Sequence, residues 1–163
     1  MANFQTKTFL KQDDYMTPKY AWKDIQHLIP KDKQIWEAFY GNGNSGNYLT
    51  ELGFNVIHEP IDFFNNNLGD IIVTNPPFSK IKDILKRLKE IDKPFILILP
   101  SSKINTSYFR EWKDKHIQII IPKKRIHFEK LTNDNTNKKS SCNFDCFYYC
   151  YKMNYNKDII WLD

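Results

Sequence analysis

The chain has 163 residues, 41% of them hydrophobic and 15% aromatic, and its 24 Lys and Arg outweigh 19 Asp and Glu for a formal net charge of +5. That length supports one continuous core and predicts a single domain over residues 1–163. No apolar run is long enough to cross a bilayer, and Met1-Ala2-Asn3-Phe4-Gln5 lacks the charged and apolar regions of a secretory leader, so membrane association is not expected and a cytoplasmic location is.

In chain order, Thr17-Pro18 reads as a helix start, with Thr17 as the cap and Pro18 at the first helical position. Ala21, Ile25, Leu28 and Ile29 form one apolar stripe that Pro30 ends. Residues 35–39 read as the first strand, and the glycine-rich segment 41–46 as a loop. Tyr48, Leu49 and Leu52 continue as a helix closed by Gly53. Residues 55–59 and 71–75 read as the next two strands, and the interval 60–70 leaves room only for very short elements. Residues 80–91 are amphipathic, with Ile81, Ile84, Leu85, Leu88 and Ile91 on one face. A buried strand at 95–99 stops at Pro100. Tyr108, Phe109 and Trp112 mark a helix, and 117–121 another strand. Residues 131–141 are polar and Asn-rich and read as a mobile loop. Strands at 144–151 and 159–162 end the chain. Apolar strand-like runs alternating with helical patterns predict an α/β fold with a mainly parallel sheet.

Three segments carry chemistry. Asn75-Pro76-Pro77-Phe78 follows the apolar run Ile71-Ile72-Val73-Thr74, and two prolines force the backbone to break there. The break sets an amide side chain, a free carbonyl and an aromatic ring at the carboxyl end of a strand, where open α/β sheets bind ligands. Such a group suits a flat molecule bearing an amino group; the plainer reading is a proline-terminated strand and a turn. Gly41-x-Gly43-x-x-Gly46 follows a strand and opens a helix, the context of a nucleotide-type loop, and alone it does not separate NAD, FAD and S-adenosylmethionine. Glu59 ends the next strand, where a carboxylate can accept from ribose hydroxyls. Asp62-Phe63 follows, an acid beside an aromatic that could hold an adenine, or simply core packing.

The remaining signals are weaker. Basic residues recur at Lys80, Lys82, Lys86, Arg87 and Lys89, at Lys123-Lys124-Arg125 and at Lys138-Lys139. Each cluster alone reads as a solvated face; three of them downstream of strand ends favour nucleic acid. Cys142, Cys146 and Cys150 fall four apart in a strand-like run, about 13 Å per step, too far for a disulfide or a shared metal. They read as reduced core residues, and the four His show no metal-ligand spacing.

Taken together, Asp14-Tyr15-Met16-Thr17-Pro18, Glu37-Ala38-Phe39-Tyr40-Gly41-Asn42-Gly43, Glu59, Asp62-Phe63 and Asn75-Pro76-Pro77-Phe78 occur in the order seen in N6-adenine methyltransferases. The chain resembles the compact, phage- and virus-like members of that family over about residues 13–128, which would make the location a host's cytoplasm. The resemblance implies a Rossmann-like class I methyltransferase, a mostly parallel seven-stranded sheet flanked by helices with the last strand antiparallel. It implies S-adenosyl-L-methionine as cofactor, S-adenosyl-L-homocysteine as product and DNA as partner. Tyr15, Thr17 and Pro18 would line the methionine end of the cofactor. Glu37, Phe39, Gly41 and Gly43 would border its amino-acid and central portions. Glu59 would hold the ribose, and Asp62 with Phe63 the adenine. Asn75, Pro76 and Pro77 would engage the target amine of a flipped-out base, Phe78 would stack on it, and the methyl would move by direct in-line displacement without metal.

The chain departs from the family in having no room for a target-recognition domain of ordinary size. Recognition would then fall to Lys123, Lys124 and Arg125 and the loop 131–141 with Lys138 and Lys139, or to a second subunit or homodimer, or specificity would be low; Lys80 is a further nucleic-acid contact candidate. An RNA adenine-N6 enzyme, a protein glutamine methyltransferase and a non-catalytic nucleic-acid-binding subunit are the alternative readings. The motif answers to a planar amine or amide rather than to DNA as such.

Overall fold

A computed structural model of the chain describes residues 15–131, 137–139 and 143–163. Strand β1 (Tyr15–Met16) and helix α1 (Lys19–Lys23) come first, followed by a 3-10 turn at Gln26–Leu28. β2 (Ile35–Trp36) leads through the glycine loop into α2 (Asn44–Glu51), and β3 (Val56–Ile57) follows. β4 (Ile71–Thr74), α3 (Ile81–Ile91), β5 (Phe95–Pro100), α4 (Ser107–Arg110) and β6 (Gln118–Ile121) continue the alternation. Then come β7 (Glu129–Leu131), β8 (Asn137–Lys139), β9 (Cys146–Tyr151) and β10 (Ile159–Trp161).

Seven strands form one sheet in the order β10-β6-β9-β5-β4-β2-β3. All its pairings are parallel except those of β9, which runs antiparallel to both β5 and β6. The aliphatic strands are buried on both faces because successive side chains point to opposite sides. Ile71, Val73, Ile96 and Ile98 pack in one layer with Ala21, Trp22, Ile25 and Leu49. Ile72, Phe95, Leu97 and Leu99 pack in the other with Ile84, Leu85, Leu88 and Trp112. The result is a Rossmann-like α/β/α sandwich. β2 is flanked by β3 on one side and β4 on the other, so the chain reverses its lateral direction after β3. The crevice outside the carboxyl ends of β2 and β4 is therefore the switch point at which such sheets bind ligands.

Four sequence-based expectations are corrected. The antiparallel strand is not the last: it is β9, inserted between β5 and β6, and β10 adds a parallel edge beyond β6. Helix α1 is capped at Pro18, which is extended (ψ 153°), and no side chain caps it, so Thr17 is not the cap. β2 stops at Trp36 rather than Phe39, because the Glu37 carboxylate accepts the Phe39 amide at 3.1 Å in place of a ladder bond. The segment 131–141 is not loop throughout. β8 pairs antiparallel with β7, and β7 with β1, making a separate three-stranded sheet. Residues 132–136 and 140–142, with Cys142, lie outside the described residues. Cys146 and Cys150 are buried in the core.

Candidate active site

The crevice at the switch point is a cavity of about 250 Å³ built from three pieces of chain: β1 and its exit, the loop after β2, and the break after β4. Glu37, one residue past β2, is 1% exposed. Its Oε1 accepts the hydroxyl of Thr74, itself fully buried, and the amide of Phe39. Its Oε2 is buried without a partner among the described residues, and the residue lines the cleft. Burial pushes the carboxyl up to about 8, against the lowering effect of the two hydrogen bonds.

The loop that follows turns on Gly41 and Gly43, whose φ of 58° and 84° lie in the left-handed region. A Cβ on Gly41 would come within 3.3 Å of Met16 Sδ, so the bare backbone is what leaves the cleft open there. Gly43 caps α2, and Asn42 Oδ1 accepts the Asn44 amide at 3.0 Å. Gly46 serves packing instead: a Cβ there would lie 2.2 Å from the His58 ring.

At the end of β4 the Pro76-Pro77 break brings Asn75, Pro76, Pro77 and Phe78 to the same cleft. Asn75 Nδ2 donates to the Tyr15 carbonyl at 3.1 Å. Its Oδ1 is buried and has no partner among the described residues. Thr17, freed from capping, is 2% exposed, and its hydroxyl is likewise buried without a partner among the described residues. Thr17, Glu37 and Asn75 therefore each turn one unsatisfied oxygen toward a single cleft. Buried polar atoms left without partners cost stability, and their convergence marks a place built for a ligand rich in donors.

Tyr15, Thr17, Glu37, Phe39, Gly41 and the four residues of the Asn-Pro-Pro-Phe segment line the cavity together. Pro18 and Gly43 flank it in the chain. Glu59 and Asp62 are exposed and lie off its lining. Asp62 caps the 3-10 turn Phe63–Asn65, accepting the Phe64 amide at 3.1 Å and the Asn65 side chain. Phe63 is 3% exposed, with its ring among Trp36, Phe39 and Phe64, so the structure places it in the core. Met16, Tyr40, Asn42 and Ser45 complete the lining and were not singled out from sequence. Neither was Thr74, although a lone hydroxyl closing an Ile-Ile-Val strand was a readable signal.

Of the basic residues, Lys80 follows β4, while Lys123, Lys124 and Arg125 follow β6, so all four sit past carboxyl ends of parallel strands, on the edge that holds the cleft. All four are exposed. Arg125 forms a two-pronged ion pair with Asp145 (2.8 and 3.1 Å), which holds the Asp145 carboxyl below its ordinary range. Lys138 and Lys139 occupy β8; their side chains lie outside the described residues.

Fold and cleft together define a Rossmann-like α/β protein with an acceptor-lined ligand site at its switch point. No family model matches the chain, and no curated protein matches it. Among solved structures the chain is similar to a TehB-like SAM-dependent methyltransferase from Corynebacterium glutamicum, at 12% identity and a TM-score of 0.45, over 79% of this chain and 84% of that one.

Proposed function

We propose that the protein transfers a methyl group from S-adenosyl-L-methionine to the N6 amine of adenine in DNA. The observation that carries this reading is the Asn75 carboxamide, with its nitrogen tied to Tyr15 and its buried oxygen free in the cleft. An exocyclic amine conjugated to a purine is a poor nucleophile, because its lone pair is delocalised into the ring. Asn75 Oδ1 and the carbonyl of Pro76 would accept its two hydrogens, localise the lone pair and fix the direction of attack, so that positioning supplies much of the rate. A base inside a duplex is out of reach and must be extruded, and Phe78, half-buried at the cleft, would replace its lost stacking.

The cleft fits the cofactor on two counts. The orphaned oxygens of Thr17 and Glu37 suit the ammonium of its amino-acid end, and the Cβ-free backbone at Gly41 leaves room beside them. Tyr15, Pro18 and Phe39 would complete that wall, with Glu59 and Asp62 reaching the adenosine from beyond the cleft. When bound, the cofactor supplies a methyl carbon activated by a sulfonium. Glu37 would be held as a carboxylate by the ligand's positive charge.

The test is incubation with S-adenosylmethionine and unmethylated DNA, with RNA and protein extract in parallel, followed by digestion and mass identification of the product. N6-methyladenine in DNA is expected. The same nucleoside in RNA alone, or methylated glutamine in protein, would overturn the substrate assignment, and no product on any of the three would overturn the activity.

A further inference from the structure

The small sheet β1-β7-β8 stands apart from the seven-stranded frame, yet it reaches the amide on which the proposed reaction depends. Asn75 is oriented by the backbone carbonyl of Tyr15. Tyr15 sits in a two-residue strand, opposite Lys130 of β7, with Met16 opposite Glu129. So short a strand is held only weakly by its ladder. The Tyr15 ring supplies the rest. It meets Phe128 edge-on at 5.9 Å and Phe144 edge-on at 5.6 Å, and stacks on Phe78 at 6.5 Å. Phe128 and Phe144 also stack on each other at 6.0 Å. Phe128, fully buried, immediately precedes β7; Phe144 precedes β9. Neither ring lines the cleft.

We propose that Phe128 and Phe144 are positioning residues: they lock Tyr15 so that its carbonyl grips the Asn75 nitrogen and leaves the Asn75 oxygen facing the substrate. The inference rests on the reading of Asn75 as the acceptor for the target amine. A carboxamide released by Tyr15 can rotate end for end. Its NH2 group would then face the amine, donor against donor, and the acceptor would be lost. The aromatic cluster thus acts on Asn75 through one backbone carbonyl; both rings also meet Phe78 edge-on, Phe144 at 5.9 Å and Phe128 at 6.5 Å, so the Asn75 amide signals separate the two routes.

The experiment compares the full chain with Phe144→Leu, Phe144→Met and the conservative Phe144→Tyr. It measures kcat for methyl transfer, Kd for S-adenosylmethionine, Tm, and the NMR signals of the Asn75 side-chain NH2 group. A small misplacement of a reacting group can cost on the order of 100-fold, so Phe144→Leu and Phe144→Met are expected to lower kcat about 10- to 100-fold. Cofactor Kd should weaken by clearly less than kcat falls, because Tyr15 borders the cleft only in part of its wall whereas a misplaced amide costs rate directly. The Asn75 amide signals should shift or broaden, and Phe144→Tyr should restore both kcat and those signals. An unchanged kcat in a folded variant would overturn the proposal. So would a kcat loss matched by an equal loss of cofactor affinity with the Asn75 signals unmoved. If the parent itself transfers no methyl group, the methyltransferase reading fails, and the Asn75 amide signals alone then decide whether the cluster positions that side chain.

Discussion

Glu37 is an acid placed where β2 would otherwise bury an aliphatic side chain, and its protonation is the most sensitive chemistry of the cleft. Burial raises its carboxyl from the usual 4.5 to about 8. Between these values the unfolded chain has already lost the proton that the folded chain still holds. Stability therefore falls as pH rises from about 4.5 to about 8, by up to about 1.4 kcal/mol per unit, and is flat below that window. Glu37→Gln is expected to remove this slope: its Tm relative to the parent should climb across the window, as followed by calorimetry at several pH values. The same residue predicts a proton linkage in binding. A cationic ligand group beside Oε2 favours the carboxylate, so affinity for S-adenosylmethionine should rise with pH up to about 8 in the parent and stay level in Glu37→Gln. A parent whose affinity is independent of pH would exclude Glu37 as the counter-charge.

At the scale of elements, α2 packs so closely on the end of β3 that only glycine fits at position 46. Gly46→Ala forces the His58 ring aside, and a destabilisation of about 1–3 kcal/mol is expected, read as a fall in denaturation midpoint at unchanged m. This is a steric prediction, and Gly46→Ser should behave no better. The elements most legible in the sequence were those whose pattern is local. The run Ile71-Ile72-Val73-Thr74, the stripe from Ile81 to Ile91 and the glycine loop each form where their periodicity and breakers put them. What the sequence hid depends on partners remote in the chain. β7 exists because Tyr15–Met16 lies across from it, and nothing in the Asn-rich stretch around it signals that pairing. The position of β9 is likewise a long-range result: a Tyr- and Cys-rich strand intrudes antiparallel between β5 and β6, with Tyr148 donating to the Ala21 carbonyl at 2.6 Å across the layer. At the cleft, Asn75 is legible from residue type and place, and Glu37 only through the resemblance. The unpaired Thr17 hydroxyl is not, because the same Thr-Pro pair also spells a helix cap.

Over the whole molecule, Lys80 lies past the carboxyl end of β4 and Lys123, Lys124 and Arg125 past that of β6, on the edge of the sheet that carries the cleft. Arg125 is tied to Asp145, so Lys123 and Lys124 are the cations of that loop best placed to meet phosphates. Replacing both by Gln is expected to weaken DNA binding and to reduce the slope of log K against log salt by about 1 to 2, with little change for Arg125→Gln, measured by fluorescence anisotropy across a salt series. An unaltered slope would exclude the pair as phosphate contacts. On the proposed function, the fold brings a wall that would hold the cofactor and an amide that would hold the amine to one cleft, with separate tasks. The most direct test is Asn75→Ala, with single-turnover methyl transfer and S-adenosylmethionine affinity measured on the same preparation. Loss of transfer by about 100-fold or more, with cofactor affinity within about threefold of the parent, is the predicted result. Equal loss of both, or transfer at the parent's rate, would contradict the division of labour on which the account stands.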